Sequence, residues 1–259
     1  MKLLCFNPHN DDAIIGAGGT LLKLINKRWE VGCVYFTDGR HGSEIMPPEE
    51  TLKVRAEEAI KEREFLGIKD YWEFGIEDGT LEKLDNEQIK ELQNRVLDII
   101  KIFQPDAILI PSLSEMHPDH RTTHYIVNDA VISRKLKIPI MKFVVWSFPD
   151  LYKKSYDVAE KVLLVDIDKE FERKVETIRL HESQVKEGRY DKIIEHFNSY
   201  LAFGLKAYKT QGADKAEIIG LFNLNDKNKG GIDALLKDLD NPMDVTTVFH
   251  GRQEKKIKA

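Results

Sequence analysis

Residues 3–20 read LLCFNPHNDDAIIGAGGT. The opening LLCFN is short and apolar enough to be a buried strand, and residues 16–28 carry apolar positions at three- and four-residue steps, the mark of an amphipathic helix. His9, Asp11 and Asp12 stand between the two. Adjacent carboxylates repel each other, so this turn needs a positive partner. A dinucleotide does not supply one, because Gly16, Gly18 and Gly19 are followed by Leu21 where G-x-G-x-x-G requires glycine. A pyrophosphate would also meet two carboxylates where that fingerprint offers bare backbone N–H groups. A bound cation resolves the repulsion directly.

The strand-turn-helix unit recurs along the chain. VGCVYFT (31–37), AILIPS (107–112), FVVWSF (143–148) and KVLLVDI (161–167) read as further strands, alternating with helical patterns over 49–66, 86–103 and 119–135. Ile89, Leu92, Val96, Ile99, Ile100 and Phe103 make one such apolar stripe. This order implies an α/β fold, a mostly parallel sheet flanked by helices. Beyond residue 168 the pattern predicts helices over 169–188 and 190–208, then a polar stretch over 212–259 in which NDKNKGGID is a loop and RQEKKIKA a frayed tail. With no repeat or low-complexity linker, residues 1–259 read as a single domain with a C-terminal helical and irregular elaboration.

Composition narrows the function classes. The chain has 259 residues, 42% of them hydrophobic, with 39 basic and 44 acidic side chains and a net charge of −5. Neither sign is massed in a block, which argues against nucleic acid as a partner. No apolar stretch approaches the roughly 18 residues of a membrane span, and the run Leu3 to Phe6 is too short for a signal-peptide core, so the expected location is cytoplasmic. Cys5 and Cys33 lie in separate strand-like runs without C-x-x-C spacing and read as buried, reduced thiols.

Ligands of open α/β sheets bind at the carboxyl ends of the strands. His9, Asp11 and Asp12 follow the first strand, DGRH (38–41) follows the second, and HPDH (117–120) follows AILIPS, so three polar clusters fall on one rim. Taken singly, His-x-x-Asp could be an Asx cap and H-P-D-H a helix start with proline in its first turn. Taken together they offer two imidazoles and a carboxylate, the usual composition of a catalytic zinc site with one position open to water. Asp12 and His9 would converge on the metal, with His117 or His120 adding a nitrogen. Asp11, in the adjoining position, could accept a proton from water.

These motifs resemble the LmbE-like, or PIG-L, family of zinc-dependent N-acetylglucosamine-type deacetylases. PHNDDAIIGAGGTL is similar to the family's opening P-H-P-D-D block, TDGRHG to its second-strand block, RAEEAIKEREFLGI to its R-x-x-E helix and HESQ (181–184) to a later one, while HPDH matches its second metal motif unchanged. The resemblance implies a Rossmann-like fold and Zn2+ held by His9, Asp12 and His120. It makes Asp11 the general base, His117 the group that stabilises the oxyanion or protonates the leaving amine, and Asp119 a carboxylate that orients a histidine. Arg55 and Asp78 become substrate contacts. The substrate is a small N-acetylated sugar or glycoside, and relatives of this kind are often homo-oligomers. Asn10 departs from the family's proline, Ala13 from a common glutamate, and LSEM (113–116) lacks a tyrosine that some relatives carry near the substrate. Two other readings compete: a metal-dependent phosphoesterase, disfavoured because hard cations prefer oxygen-rich shells, and a catalytically silent sugar- or metal-binding protein, which could dispense with Asp11 and His117.

Overall fold

A computed structural model describes residues 1–145, 160–207, 213–224 and 227–246. Strand β1 (Lys2–Asn7) is buried beyond Lys2 and alternates its side chains between two cores. Leu3 and Cys5 face one, Leu4 and Phe6 the other, as expected of a strand covered on both faces. Helix α1 (Asp12–Asn26) covers the first core. After β2 (Glu30–Thr37) come α2 (Pro48–Leu66), β3 (Asp70–Ile76), α3 (Asn86–Phe103), β4 (Ala107–Pro111), α4 (Pro118–Ser133) and β5 (Ile140–Phe143). Local chemistry sets several boundaries: Gly67 ends α2 with φ +74°, and Asp85 with Gln88 closes a capping box on α3.

The later elements are β6 (Lys161–Asp166), α5 (Phe171–Ile178), α6 (Glu182–Gly188), α7 (Tyr190–Ala207), β7 (Ala216–Phe222), α8 (Lys229–Asp238) and β8 (Met243–Asp244). One eight-stranded sheet runs β3-β2-β1-β4-β5-β7-β6-β8. The first five strands are parallel, and Cys5 is in register with Cys33 on one side and Leu109 on the other. The last three are antiparallel. The α/β reading with a mostly parallel sheet therefore holds, and β1 and β4 flank the switch point where the strand order reverses.

The differences lie mainly toward the C-terminus. The predicted strand at 143–148 is instead 140–143, with residues 146–148 outside those described. The helix expected over 169–188 is broken at 179–181 into α5 and α6. The stretch taken as polar and irregular contains β7, α8 and β8, so the elaboration extends the sheet; the tail at 252–259 lies outside the described residues. Cys5 and Cys33 are buried free thiols. Among the described residues, no helix is long and apolar enough to cross a membrane.

Candidate metal centre and active site

The carboxyl ends of β1, β2, β3 and β4 bring together loops far apart in sequence. His9 lies in the turn after β1 and Asp12 opens α1; His117 caps α4, and His120 sits in its first turn. Asp12 faces both imidazoles: Oδ2 accepts from the His9 backbone N–H at 2.8 Å and lies 3.2 Å from His9 Nδ1, while Oδ1 lies 3.2 Å from His120 Nε2. One donor atom from each of His9, Asp12 and His120 lies within 4.8 Å of the others, and all three residues are buried.

His120 tests whether a metal fits. Its ring is fully buried; Nδ1 faces Glu115 Oε2 at 3.3 Å, while Nε2, 3.2 Å from Asp12 Oδ1, has no aligned hydrogen-bond partner. Such an unpaired polar group costs on the order of 1–3 kcal/mol. A cation coordinated by Nε2 and Asp12 would remove that cost, so the donors suit a divalent metal. The surrounding field agrees. Burial opposes charge on His9, but Asp12, Asp119 and Asp78 outweigh it and hold its pKa well above the usual imidazole value. The same contest raises His120 to about 9, through Asp12 and Glu115. Burial would raise Asp12, yet His120 and His9 keep it well below the ordinary carboxylate range. The pocket favours positive charge.

Asp11 is placed differently. It is the N-cap of α1, yet its side chain makes no capping bond. Its Oδ1 instead accepts from Arg55 Nη2 at 2.8 Å. Arg55, on α2, is held in turn by Asn10, whose Oδ1 accepts from Nε at 3.1 Å and Nη2 at 2.7 Å and whose Nδ2 donates to the Arg55 carbonyl. The loop after β2 closes over this guanidinium. A Cβ at Gly42 would lie 2.0 Å from Arg55 Nη1, and Gly39 adopts φ +66°.

His117 is half-buried, with its ring centre 5.0 Å from that of His9 and 5.1 Å from that of His120. Its Nδ1 accepts from the Asp119 backbone N–H at 3.2 Å, and H-P-D-H does start a helix, with Pro118 in its first turn. An accepting Nδ1 leaves the neutral ring's proton on Nε2, which can donate. Burial, with His9 and His120, lowers its pKa. Asp119 is fully buried, takes the backbone N–H groups of Gly79 and Leu81, and lies 3.7 Å from His9 Nε2.

Arg55 and Asp78 are 3% and 6% exposed and already engaged, Arg55 with Asp11 and Asp78 with His9 Nε2 at 2.9 Å. His41, on the rim, pairs with Glu77 at 3.1 Å. Glu115 escaped the sequence reading: it is buried behind His120, 3.3 Å from Nδ1. Its only sequence signal is its position two residues before HPDH. His181 and Ser183 of the HESQ block bind Glu62 and Glu58 of α2, and Gln184 donates to the Gly42 carbonyl, so this block braces the rim. Burial opposes charge on His181, but its bond to Glu62 outweighs it and raises the pKa.

The sheet order and the His/Asp cluster at its carboxyl edge define an α/β protein with a metal-type site. Residues 4–131 match the PIG-L family model, described as GlcNAc-PI de-N-acetylase. A diacetylchitobiose deacetylase of Thermococcus kodakarensis is 29% identical over 202 residues, 72% of this chain and 71% of that protein. Among solved structures, an N,N'-diacetylchitobiose deacetylase from Pyrococcus horikoshii superposes with TM-score 0.66 at 23% identity, covering 86% of this chain and 84% of that one. A 4-carboxy-2-hydroxymuconate hydratase from Pseudomonas putida follows with TM-score 0.61 at 19% identity, covering 85% and 94%. The fold therefore hosts more than one named reaction, and function has to be argued from the site.

Proposed function

We propose that this chain is a zinc-dependent hydrolase that removes the acetyl group from an N-acetylated amino sugar, releasing acetate and a free amine. The observation that carries the reading is the divided labour of one turn: Asp12 faces two buried histidines, while Asp11, one residue earlier, is uncapped and faces Arg55. The named relatives support the substrate class. His9, Asp12 and His120 would hold the zinc; two imidazoles among three ligands suit that metal better than magnesium or calcium. Bound there, it would lower the pKa of water and polarise the amide carbonyl.

The chain's own groups supply the proton transfers. Asp11 takes the proton of the attacking water, with Arg55 fixing one of its oxygens so that the other faces the substrate. His117 hydrogen-bonds the oxyanion from Nε2, and the proton that Asp11 took from water passes to the departing amine. Asp119 ties α4 to the loop after β3 and keeps His117 and His120 in register with His9.

The test is acetate release from a panel of N-acetylglucosamine compounds, using protein stripped of metal and reloaded with zinc. Zinc-dependent release is expected, reduced roughly 10²–10⁴-fold in Asp11→Asn with zinc still bound. Undiminished turnover in that variant would overturn the assignment of the base. No release from any compound by the zinc-loaded protein would turn the reading toward a different amide or a silent binder.

A further inference from the structure

A histidine ligates through a nitrogen that carries no proton, so whatever holds the proton on its other nitrogen decides whether it can bind a metal. The two imidazoles of this cluster present opposite atoms to Asp12, Nδ1 from His9 and Nε2 from His120. In each ring the outward nitrogen meets a buried carboxylate. Asp78 Oδ1 lies 2.9 Å from His9 Nε2, and Glu115 Oε2 lies 3.3 Å from His120 Nδ1.

Both carboxylates are fixed from behind. Asp78 Oδ2 accepts from the His41 backbone N–H at 3.2 Å, and Glu115 Oε1 accepts from the Val145 backbone N–H at 2.6 Å. Glu115 is 2% exposed. Asp119 is less well placed for His9: it stands 3.7 Å away, and its oxygens serve Gly79 and Leu81.

We propose that Asp78 and Glu115 are positioning residues that hold His9 and His120 in the tautomers needed for metal binding, His9 through Nδ1 and His120 through Nε2. Asp78 then acts on the metal centre instead of touching the sugar. The inference rests on the reading of His9, Asp12 and His120 as that centre.

The mechanism makes an unusual prediction about the order of variants. In Asp78→Asn the side-chain oxygen must stay on the His41 N–H, which turns the amide NH2 toward His9 Nε2. A donor there forces the ring proton onto Nδ1, the ligating atom. Asp78→Ala removes the carboxylate without imposing the wrong proton. Glu115→Gln, pinned by Val145, acts on His120 as Asp78→Asn acts on His9.

The experiment is zinc affinity of the metal-stripped full chain, measured by competition with a chromophoric chelator, with melting of the metal-free proteins and KM for an N-acetylglucosamine substrate measured beside it. Asp78→Asn and Glu115→Gln are expected to weaken zinc 10–100-fold, and Asp78→Ala to weaken it less than Asp78→Asn. Wild-type affinity in Asp78→Asn with a raised KM would overturn the inference and make Asp78 a sugar contact. The reverse order, Ala worse than Asn, would also overturn it, as a plain packing role. If Glu115→Gln shows no cooperative melt, the Asp78 pair decides. Absence of zinc binding by the wild type would instead remove the metal centre itself, and this inference with it.

Discussion

Asp11 and Asp12 are neighbours in the chain but not in environment. Asn10, at the position where the resemblance leads one to expect proline, reinforces the difference. A proline could not accept two N–H groups from Arg55 or donate to its carbonyl, as Asn10 does. The amide thus locks the guanidinium whose Nη2 holds Asp11. Replacing Asn10 by Ala frees the guanidinium to swing from Asp11, so kcat is expected to fall in the wild-type background with metal content unchanged. In an Asp11→Asn background the same change should cost little more, giving a coupling of roughly 0.5–3 kcal/mol in a double-mutant cycle on kcat. Purely additive losses would disconnect Asn10 from the base. Short-range spacing made His9, Asp12 and HPDH legible in the sequence. The Arg55 contact joins positions 44 residues apart and Glu115 meets its histidine only through a folded loop, so neither carried a local pattern.

The glycine run that fails as a dinucleotide fingerprint has a packing role at the level of the element. A Cβ at Gly16 would lie 2.4 Å from the Phe143 ring, and one at Gly19 would lie 2.6 Å from Ile167, so the run lets α1 sit close on the sheet. The helix kinks at Ala17 (φ −140°), and Glu217 of β7 caps its continuation by accepting from Gly19 and Thr20 N–H at 2.8 and 2.7 Å. Lys174 of α5 balances that carboxylate at 2.7 Å, and both side chains are fully buried. Glu217→Gln leaves the ammonium without its counter-charge and should lower stability by roughly 3–5 kcal/mol in urea unfolding. Lys174→Met in the same chain should recover most of the loss. A Glu217→Gln protein as stable as wild type would show that the cap and ion pair contribute nothing. None of this was readable in advance, because AEIIGLF (216–222) was averaged into a polar C-terminal stretch. Strand β3 was missed for another reason: DYWEFGI lies at a sheet edge, buries only Phe74 and carries two acidic residues.

Across the whole molecule, the parallel half carries the metal cluster, while the C-terminal elements extend the sheet and brace the rim through His181, Ser183, Gln184 and Glu187. Apart from the edge strand β3, the parallel half was legible because buried strands and amphipathic helices follow simple periods; the break at 179–181 was not, since His181 turns there to reach Glu62. The same architecture sets how stability responds to acid. His124 lies behind the site on α4, with Nδ1 2.8 Å from the Pro111 carbonyl. Burial and nearby Lys142 lower its pKa to about 3, against the favourable bond to Pro111. An unfolded histidine titrates near 6.5. Above about pH 6.5 both states are neutral at this site and contribute no slope; below it the unfolded chain takes a proton that the native ring refuses. Stability should therefore fall as the pH drops from about 6.5 toward 3, with a limiting slope on the order of 1.4 kcal/mol per pH unit. His120, raised to about 9, acts in a separate window: its stabilising charge is complete below 6.5 and is lost only as the pH rises toward 9. Asp78, lowered to about 2, matters only below the ordinary carboxylate range. His117, also lowered, adds to the acid slope in the same direction as His124. Urea unfolding of the chelator-treated protein between pH 6.5 and 4.5 should then show a decline that His124→Gln flattens without abolishing. An unchanged slope in that variant would mean that His124 is charged in the native state and that the burial argument fails.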